Sequence, residues 1–234
     1  MTAPALTLRW MSQGTALLAG TVAGLGDAEF ERPSGLPVWT RKHLLAHLAA
    51  NAEALRRLTY WARTGEETPM YASTEQRNAD IETGSRLPAS RLRAWMTEAA
   101  ARLAEDLDAL PADAWANPVA TAQGRTVPAS EIPWMRTKEV WIHAADLDAG
   151  VGFDDFPAEL CAALLTDVTG VRSRRHEGHG VLLRSTDSDE SWQITGPDPV
   201  SDVQGTRAAL SRWVTGRGTH ELIPSTPPEL GPWL

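Results

Sequence analysis

The amino-acid sequence predicts an α+β protein in which a four-helix bundle is followed by a small α/β domain. Long segments with helical spacing of apolar residues, several of them with clear start or stop signals, fill the first part of the chain. After Gly150 the pattern changes, because two short strand-like segments with a polar turn between them stand between two further helical segments. We therefore expect two domains, residues 1–150 and residues 151–234.

Five helices are expected in the first domain. Thr40 is a plausible N-cap and Gly65 a stop signal, and Ser73-x-x-Gln76 resembles a capping box. Pro88 and Pro133 stand where the first turn of a helix tolerates proline. The expected helices cover residues 5–25, 41–64, 74–83, 88–110 and 133–150, and residues 111–130 form a loop with a short extended piece around 125–127.

The second domain is expected to mix helices and strands. Residues 181–186 and 192–196 alternate in the manner of strands, and the segment 187–190 between them is a polar turn. Residues 199–205 are a possible third strand. Helices are expected over 157–174 and 206–216, and the proline-rich tail is expected to be extended.

Composition restricts the possible functions. The chain has 234 residues, 42% of them hydrophobic, with a net charge of −8 and no basic stripe, which argues against nucleic acid as the main partner. A small anionic ligand is still possible because it needs only a local pair of arginines. The single cysteine, Cys161, favours a reducing compartment. No signal peptide or apolar span is evident in the sequence, so a cytoplasmic protein without a membrane partner is expected.

Glu139 and His143 are the first candidate metal ligands. They are four residues apart and therefore lie on one face of the same helix, one turn from each other. A solvated pair is the simpler interpretation, but Met135 and Ile142 make this stripe partly apolar and favour an inward face. Asp146 lies on the same stripe and is either a further ligand or a group that orients an imidazole.

His47 is the third candidate ligand. It shares a helix face with Leu44, Asn51 and Leu58, so it is expected in the core, where a histidine must be hydrogen-bonded or bound to a metal. A histidine that bonds a backbone carbonyl is the simpler alternative. Two histidines and one carboxylate would leave positions open on a zinc ion, a pattern typical of catalytic sites. Such a donor set also accepts other divalent metals.

Other histidines are weaker candidates. His43 precedes His47 by one helical turn, whereas the remaining three histidines lie in the second domain. His176 and His179 stand in a glycine-rich loop, where they are expected to be solvated.

Two segments resemble the mycothiol-dependent maleylpyruvate isomerases, a family of the DinB-like metal-binding bundles: PVWTRKHLLAHL (37–48) and WMRTKEVWIHAADL (134–147). The resemblance extends over essentially the whole chain and includes a C-terminal domain similar to sterol carrier proteins. It implies that zinc is held by His47, Glu139 and His143, and that the arginines facing the site are Arg77 and Arg217. From the sequence alone, Arg77 would be a surface residue and Arg217 a cation at a helix C-terminus.

The resemblance also implies a reaction. Zinc would activate the thiol of mycothiol, which would add to the cis double bond of maleylpyruvate and leave after rotation, giving fumarylpyruvate in gentisate-type aromatic degradation. Two guanidinium groups suit a dianionic substrate. The alternatives are another mycothiol-dependent zinc thiol-transferase that acts on electrophiles, and a non-catalytic metal-dependent binding module. The sequence does not determine which residues contact mycothiol or how many chains associate.

Overall fold

The computed structural model describes residues 4–175 and 178–231. The chain divides into two compact units, Met1–Val151 and Gly152–Leu234. The first unit is almost entirely helical and the second combines a sheet with helices. The α+β class predicted from the sequence, with a helical bundle first and a small α/β domain second, is therefore confirmed. Of the two histidines predicted to lie in a glycine-rich loop, His176 is outside the described residues, whereas His179 begins a strand, so the loop prediction was wrong there.

Five α-helices build the first unit. They are α1 (Ala5–Gly24), α2 (Arg41–Thr64), α3 (Thr74–Ser85), α4 (Ala89–Asp108) and α5 (Ile132–Asp146). Helix α2 is the central element because it packs against α3, α4 and α5, while α1 packs mainly against α5. Leucines of α2 and α4 and Ile132 of α5 are fully buried between these helices. Burial of each such side chain stabilises the folded state by about 1.5–3 kcal/mol.

The helix boundaries follow the local signals in the sequence. The Ser73 hydroxyl accepts a hydrogen bond from the Gln76 amide (3.1 Å) at the start of α3, and Gly65 ends α2 in a left-handed conformation (φ 77°). Helix α5 ends at Asp146, four residues before Gly150, because Asp148 already has a positive φ of 50°. The expected extended piece is part of a hairpin, β1 (Pro118–Ala120) and β2 (Thr126–Pro128).

A three-stranded sheet and two helices build the second unit. The elements are α6 (Ala158–Arg175), β3 (His179–Ser185), β4 (Ser191–Ile194), β5 (Asp198–Gly205) and α7 (Arg207–Val214). Strand β3 is central, antiparallel to β4 and parallel to β5. Helix α6 packs against β4 and α7. The possible third strand is therefore a full member of the sheet.

Among the described residues, no helix is long and apolar enough to span a membrane.

Candidate metal centre

Helices α2 and α5 bring His47, Glu139 and His143 to one point. The Nε2 atom of His47 lies 2.9 Å from Oε2 of Glu139, and Nε2 of His143 lies 3.1 Å from the same oxygen. One potential ligand atom from each residue lies within 4.8 Å of the other two. The two imidazole rings meet edge to face, with centroids 5.0 Å apart. All three side chains therefore converge on the same small space, which we call the triad.

The triad is mostly enclosed but not sealed. The His47 side chain is 6% exposed, whereas Glu139 and His143 retain 24% and 13% of their side-chain surface. Trp39 covers one side of His47, with a ring-centroid distance of 5.6 Å. Most of the triad is therefore shielded from solvent, while Glu139 keeps the largest exposed fraction of the three side chains.

Asp146 orients His143. Its Oδ2 atom lies 2.8 Å from Nδ1 of His143, on the opposite side of the ring from Glu139. The Asp146 side chain is almost completely buried. A carboxylate on Nδ1 fixes the ring so that Nε2 points toward the triad, which is how outer groups usually support a metal-binding imidazole. Of the two roles left open by the sequence, this geometry favours orientation over direct ligation.

The charges of the triad suit a metal. Burial would raise the pKa of Glu139, but attraction by His47 and hydrogen bonds with both imidazoles hold that pKa well below its usual range. Burial lowers the pKa of His47, although Glu139 opposes this effect. The pKa of His143 is raised because hydrogen bonds with Asp146 and Glu139 outweigh its burial. The triad thus offers an ionised carboxylate and two imidazoles, and a metal would compete with protons for the imidazole nitrogens.

Arg77 lies directly beside the triad. Its guanidinium Nη2 is 3.3 Å from Nδ1 of His47, and its Cζ is 5.8 Å from the centre of the Tyr71 ring. Arg77 therefore lies beside the site, as the family resemblance implied, whereas the sequence alone suggested only a surface position. Its role in catalysis is still a prediction.

Arg136 is a residue of the site that the sequence analysis missed. It precedes Glu139 by one helical turn, is 1% exposed and donates through Nη1 to the Leu48 carbonyl and the Asn51 side-chain oxygen, both at 2.8 Å. Burial lowers its pKa to about 10, so the side chain is still cationic at neutral pH. It ties the turn of α2 after His47 to the turn of α5 before Glu139. One feature of the sequence pointed to Arg136: it precedes Glu139 by three residues and therefore lies on the same helix face.

The remaining candidates have other described contacts. His43 bonds with the Thr40 hydroxyl (2.7 Å) and Glu82 (3.3 Å) and does not join the triad. Cys161 is buried in α6, and burial raises its pKa to about 11. Arg217 follows α7 in the second unit, where its guanidinium donates to the Thr215 carbonyl.

The donor set fits a zinc ion. Donors bound to zinc at about 2.0–2.2 Å with tetrahedral angles lie roughly 3.3 Å from one another. The two imidazole-to-carboxylate distances, 2.9 and 3.1 Å, are close to that separation, and both imidazoles present Nε2. Two histidines and one carboxylate leave at least one coordination position for a ligand.

The fold and the site together define a helical-bundle protein with a metal-competent His/Glu/His centre between two of its helices. The family model described as the mycothiol maleylpyruvate isomerase N-terminal domain matches residues 11–148, which is more than half of the chain. The chain therefore belongs to the mycothiol-dependent maleylpyruvate isomerase family.

Solved structures agree with this family. The chain is 38% identical to a mycothiol-dependent maleylpyruvate isomerase whose crystal structure superposes with a TM-score of 0.94, and both chains are covered completely. A histidine-to-alanine mutant of a mycothiol-dependent maleylpyruvate isomerase matches with the same identity and coverage and a TM-score of 0.93. A search among curated proteins gave no match.

Proposed function

We propose that this chain catalyses the mycothiol-dependent cis–trans isomerisation of maleylpyruvate to fumarylpyruvate at a zinc centre held by His47, Glu139 and His143. The convergence of these three side chains from two helices is the observation that carries the proposal. Membership of the family supports the reaction and the thiol. We also propose that the enzyme acts in the cytoplasm, where its single buried cysteine suits a reducing environment.

The chain's own residues would prepare this centre. A bound zinc ion would supply Lewis acidity, which lowers the pKa of a coordinated thiol. His47, Glu139 and His143 would hold the ion, and Asp146 would keep the His143 ring aligned. Arg136 would hold the two ligand-bearing helices in register and add positive charge close to Glu139. The centre would therefore favour negatively charged ligands.

Arg77 is suited to receive one carboxylate of the dianionic substrate. In the structure its N–H faces Nδ1 of His47, which must then act as the acceptor. If His47 instead uses Nε2 to bind a metal, its proton belongs on Nδ1, and Arg77 can no longer donate there. The guanidinium would then be available for a carboxylate, with which it forms strong charge-assisted hydrogen bonds. For Arg217 we propose an analogous role in substrate binding, based on the family resemblance.

The test is isomerisation of maleylpyruvate by the purified, zinc-loaded protein, followed by ultraviolet absorbance. Reactions contain mycothiol, no thiol, or N-acetylcysteine as a control for uncatalysed addition by a simple thiol. The proposal expects turnover that requires mycothiol and stops when a chelator removes the metal. A folded, zinc-loaded protein that leaves maleylpyruvate unchanged would disprove it. Consumption of mycothiol with other electrophiles would then indicate a thiol-transferase.

A further inference from the structure

A groove in the first unit lies between α2, α3 and α4, next to the triad. Its volume is about 580 Å³, within the usual size range of small-molecule sites. Trp95, Tyr71, Leu87 and two alanines of α2 form its apolar part, while arginines and carboxylates line the remainder. None of the roles assigned so far to the metal centre uses this groove.

The groove begins one helical turn from the triad. Ala50 and Ala54 line it and follow His47 by three and seven residues, so they continue the same face of α2. Tyr71 also lines the groove, and the guanidinium of Arg77 lies 5.8 Å from the centre of its ring. From His47 to Arg57, at the far part of the groove, α2 rises by ~15 Å. The triad and the groove are therefore neighbours, with Tyr71 and Arg77 between them.

The aromatic wall of the groove is fixed in place. The indole N–H of Trp95 donates to Oε1 of Glu53 at 2.7 Å, which sets the plane of the ring. Gly84 of α3 allows a close approach, because a Cβ atom there would lie only 2.7 Å from the Trp95 ring and 2.9 Å from Ala46. This contact locks α3, α4 and α2 together at one end of the groove. A rigid aromatic face of this kind suits the flat, C–H-rich face of a sugar ring.

The polar part of the groove has unused donors. Glu53 accepts from Trp95, and Asp80 accepts from the Gln76 amide at 2.7 Å. Arg57 and Arg91, by contrast, are exposed and form no ion pair with another described residue. Each guanidinium offers five N–H donors in a fixed plane. The groove therefore combines a fixed aromatic face with spare hydrogen-bond donors, which suits a ligand rich in hydroxyl groups.

We propose that this groove binds the hydroxyl-rich part of the thiol cofactor while the cofactor's sulfur lies at the triad. Mycothiol carries its thiol on an acylated cysteine that is attached to an amino-sugar and inositol glycoside, so one end is reactive and the other is a polyol. The inference rests on the proposed function. It assigns Trp95, Arg57 and Arg91 to cofactor binding and leaves the dianionic substrate to the arginine beside the triad.

The experiment compares steady-state kinetics of the wild type with Arg57→Ala, Arg91→Ala and the double variant. Both side chains are exposed, so folding should be preserved. We expect KM for mycothiol to rise about tenfold or more in the double variant, with kcat and KM for maleylpyruvate unchanged. Arg125→Ala is the matched control, because Arg125 is an exposed arginine of the same unit, in the hairpin and outside the groove.

A binding measurement separates this proposal from the reaction itself. S-methyl mycothiol cannot form a thiolate, and its affinity for the zinc-loaded wild type, measured by calorimetry, should fall about tenfold in the double variant. An unchanged KM for mycothiol, or a raised KM for maleylpyruvate alone, would overturn the groove assignment and leave the isomerase proposal intact. A wild type with no mycothiol-dependent turnover would instead defeat the proposed function, and failure to bind S-methyl mycothiol would defeat the groove assignment as well.

Discussion

Both units bury charged side chains, but they use them differently. In the first unit, the imidazoles of His47 and His143 gather around the Glu139 carboxylate, and the Arg77 guanidinium lies 3.3 Å from His47. Among the described residues of the second unit, the buried arginines instead hold chain segments in place, as Arg41 also does in the first unit by donating to the Leu147 carbonyl. Arg172 donates to the carbonyls of Val214 and Gly231, and Arg212 donates to the carbonyl of His220 and to Glu221.

This difference shows that burial of a polar group does not by itself mark a functional site. A buried arginine that donates to backbone carbonyls satisfies acceptors that would otherwise be costly to bury. Convergence of ligand-type atoms on one point has no such local purpose, because it concentrates charge and must be stabilised by the surrounding fold. Substitutions in the two units should therefore have separable effects on metal binding and on stability.

The largest effect is expected for His47→Ala. Two ligands rarely hold zinc in an open site, so this variant should lose its metal, and isomerase activity should fall by at least about 100-fold. His43→Ala is the matched control on the same helix, because His43 bonds with Thr40 and Glu82 instead of the triad. Metal content by atomic absorption and ultraviolet rates should separate the two variants. Stoichiometric zinc in His47→Ala would refute the ligand assignment.

Next in size is the contrast between Arg136→Met and Arg172→Met. Both remove a buried guanidinium that donates to at least one backbone carbonyl, so both should lower the free energy of unfolding by about 2–4 kcal/mol. Only Arg136→Met should also weaken zinc binding, by about 10- to 100-fold, because it loosens the register between the ligand-bearing helices. Competition with a chromophoric chelator measures the affinity. Equal zinc affinity in both variants would assign Arg136 a purely structural role.

A smaller effect is expected for the arginines assigned to the substrate. Arg217→Ala should keep its metal and lower kcat/KM for maleylpyruvate about 10- to 100-fold, the usual loss for one charge-assisted hydrogen bond. Arg77→Ala should behave similarly, although it also removes the contact with His47. Arg207→Ala serves as the second-unit control, because Arg207 pairs with Asp187 and Glu190. Loss of zinc in Arg217→Ala would contradict its assigned role.

The sequence predicted most of the fold because its helices carry strong local signals. The capping serine Ser73 and the terminal glycine Gly65 operate at the boundaries where they were expected. The i,i+4 spacing also predicted correctly that Glu139 and His143 would face one point. The register between two helices is a tertiary property, however, and a position on the Glu139 stripe does not show which residues of α2 Arg136 contacts. That is why Arg136 was missed and why Arg77 depended on the family resemblance.

The smallest effect on activity is expected for a substitution of Cys161, the only cysteine of the chain. Burial raises the pKa of Cys161 from 9.0 to about 11, which reduces its thiolate fraction near pH 8 about 100-fold. Native protein should therefore react with a thiol-specific chromogenic reagent at least that much more slowly than unfolded protein. Cys161→Ser should retain full isomerase activity.

The same pKa shift fixes the sign of a pH effect on stability. The buried thiol is neutral in both states below pH 9, so its favourable burial is fully present there and is lost as the pH rises through about 11. Cys161→Ala lacks this titration, so the stability difference between wild type and variant should shrink between pH 9 and 11. Chemical denaturation at pH 8, 9.5 and 10.5 measures that difference. A stability difference that stays constant with pH, or fast labelling of native protein, would show that the thiol is accessible and would contradict its raised pKa.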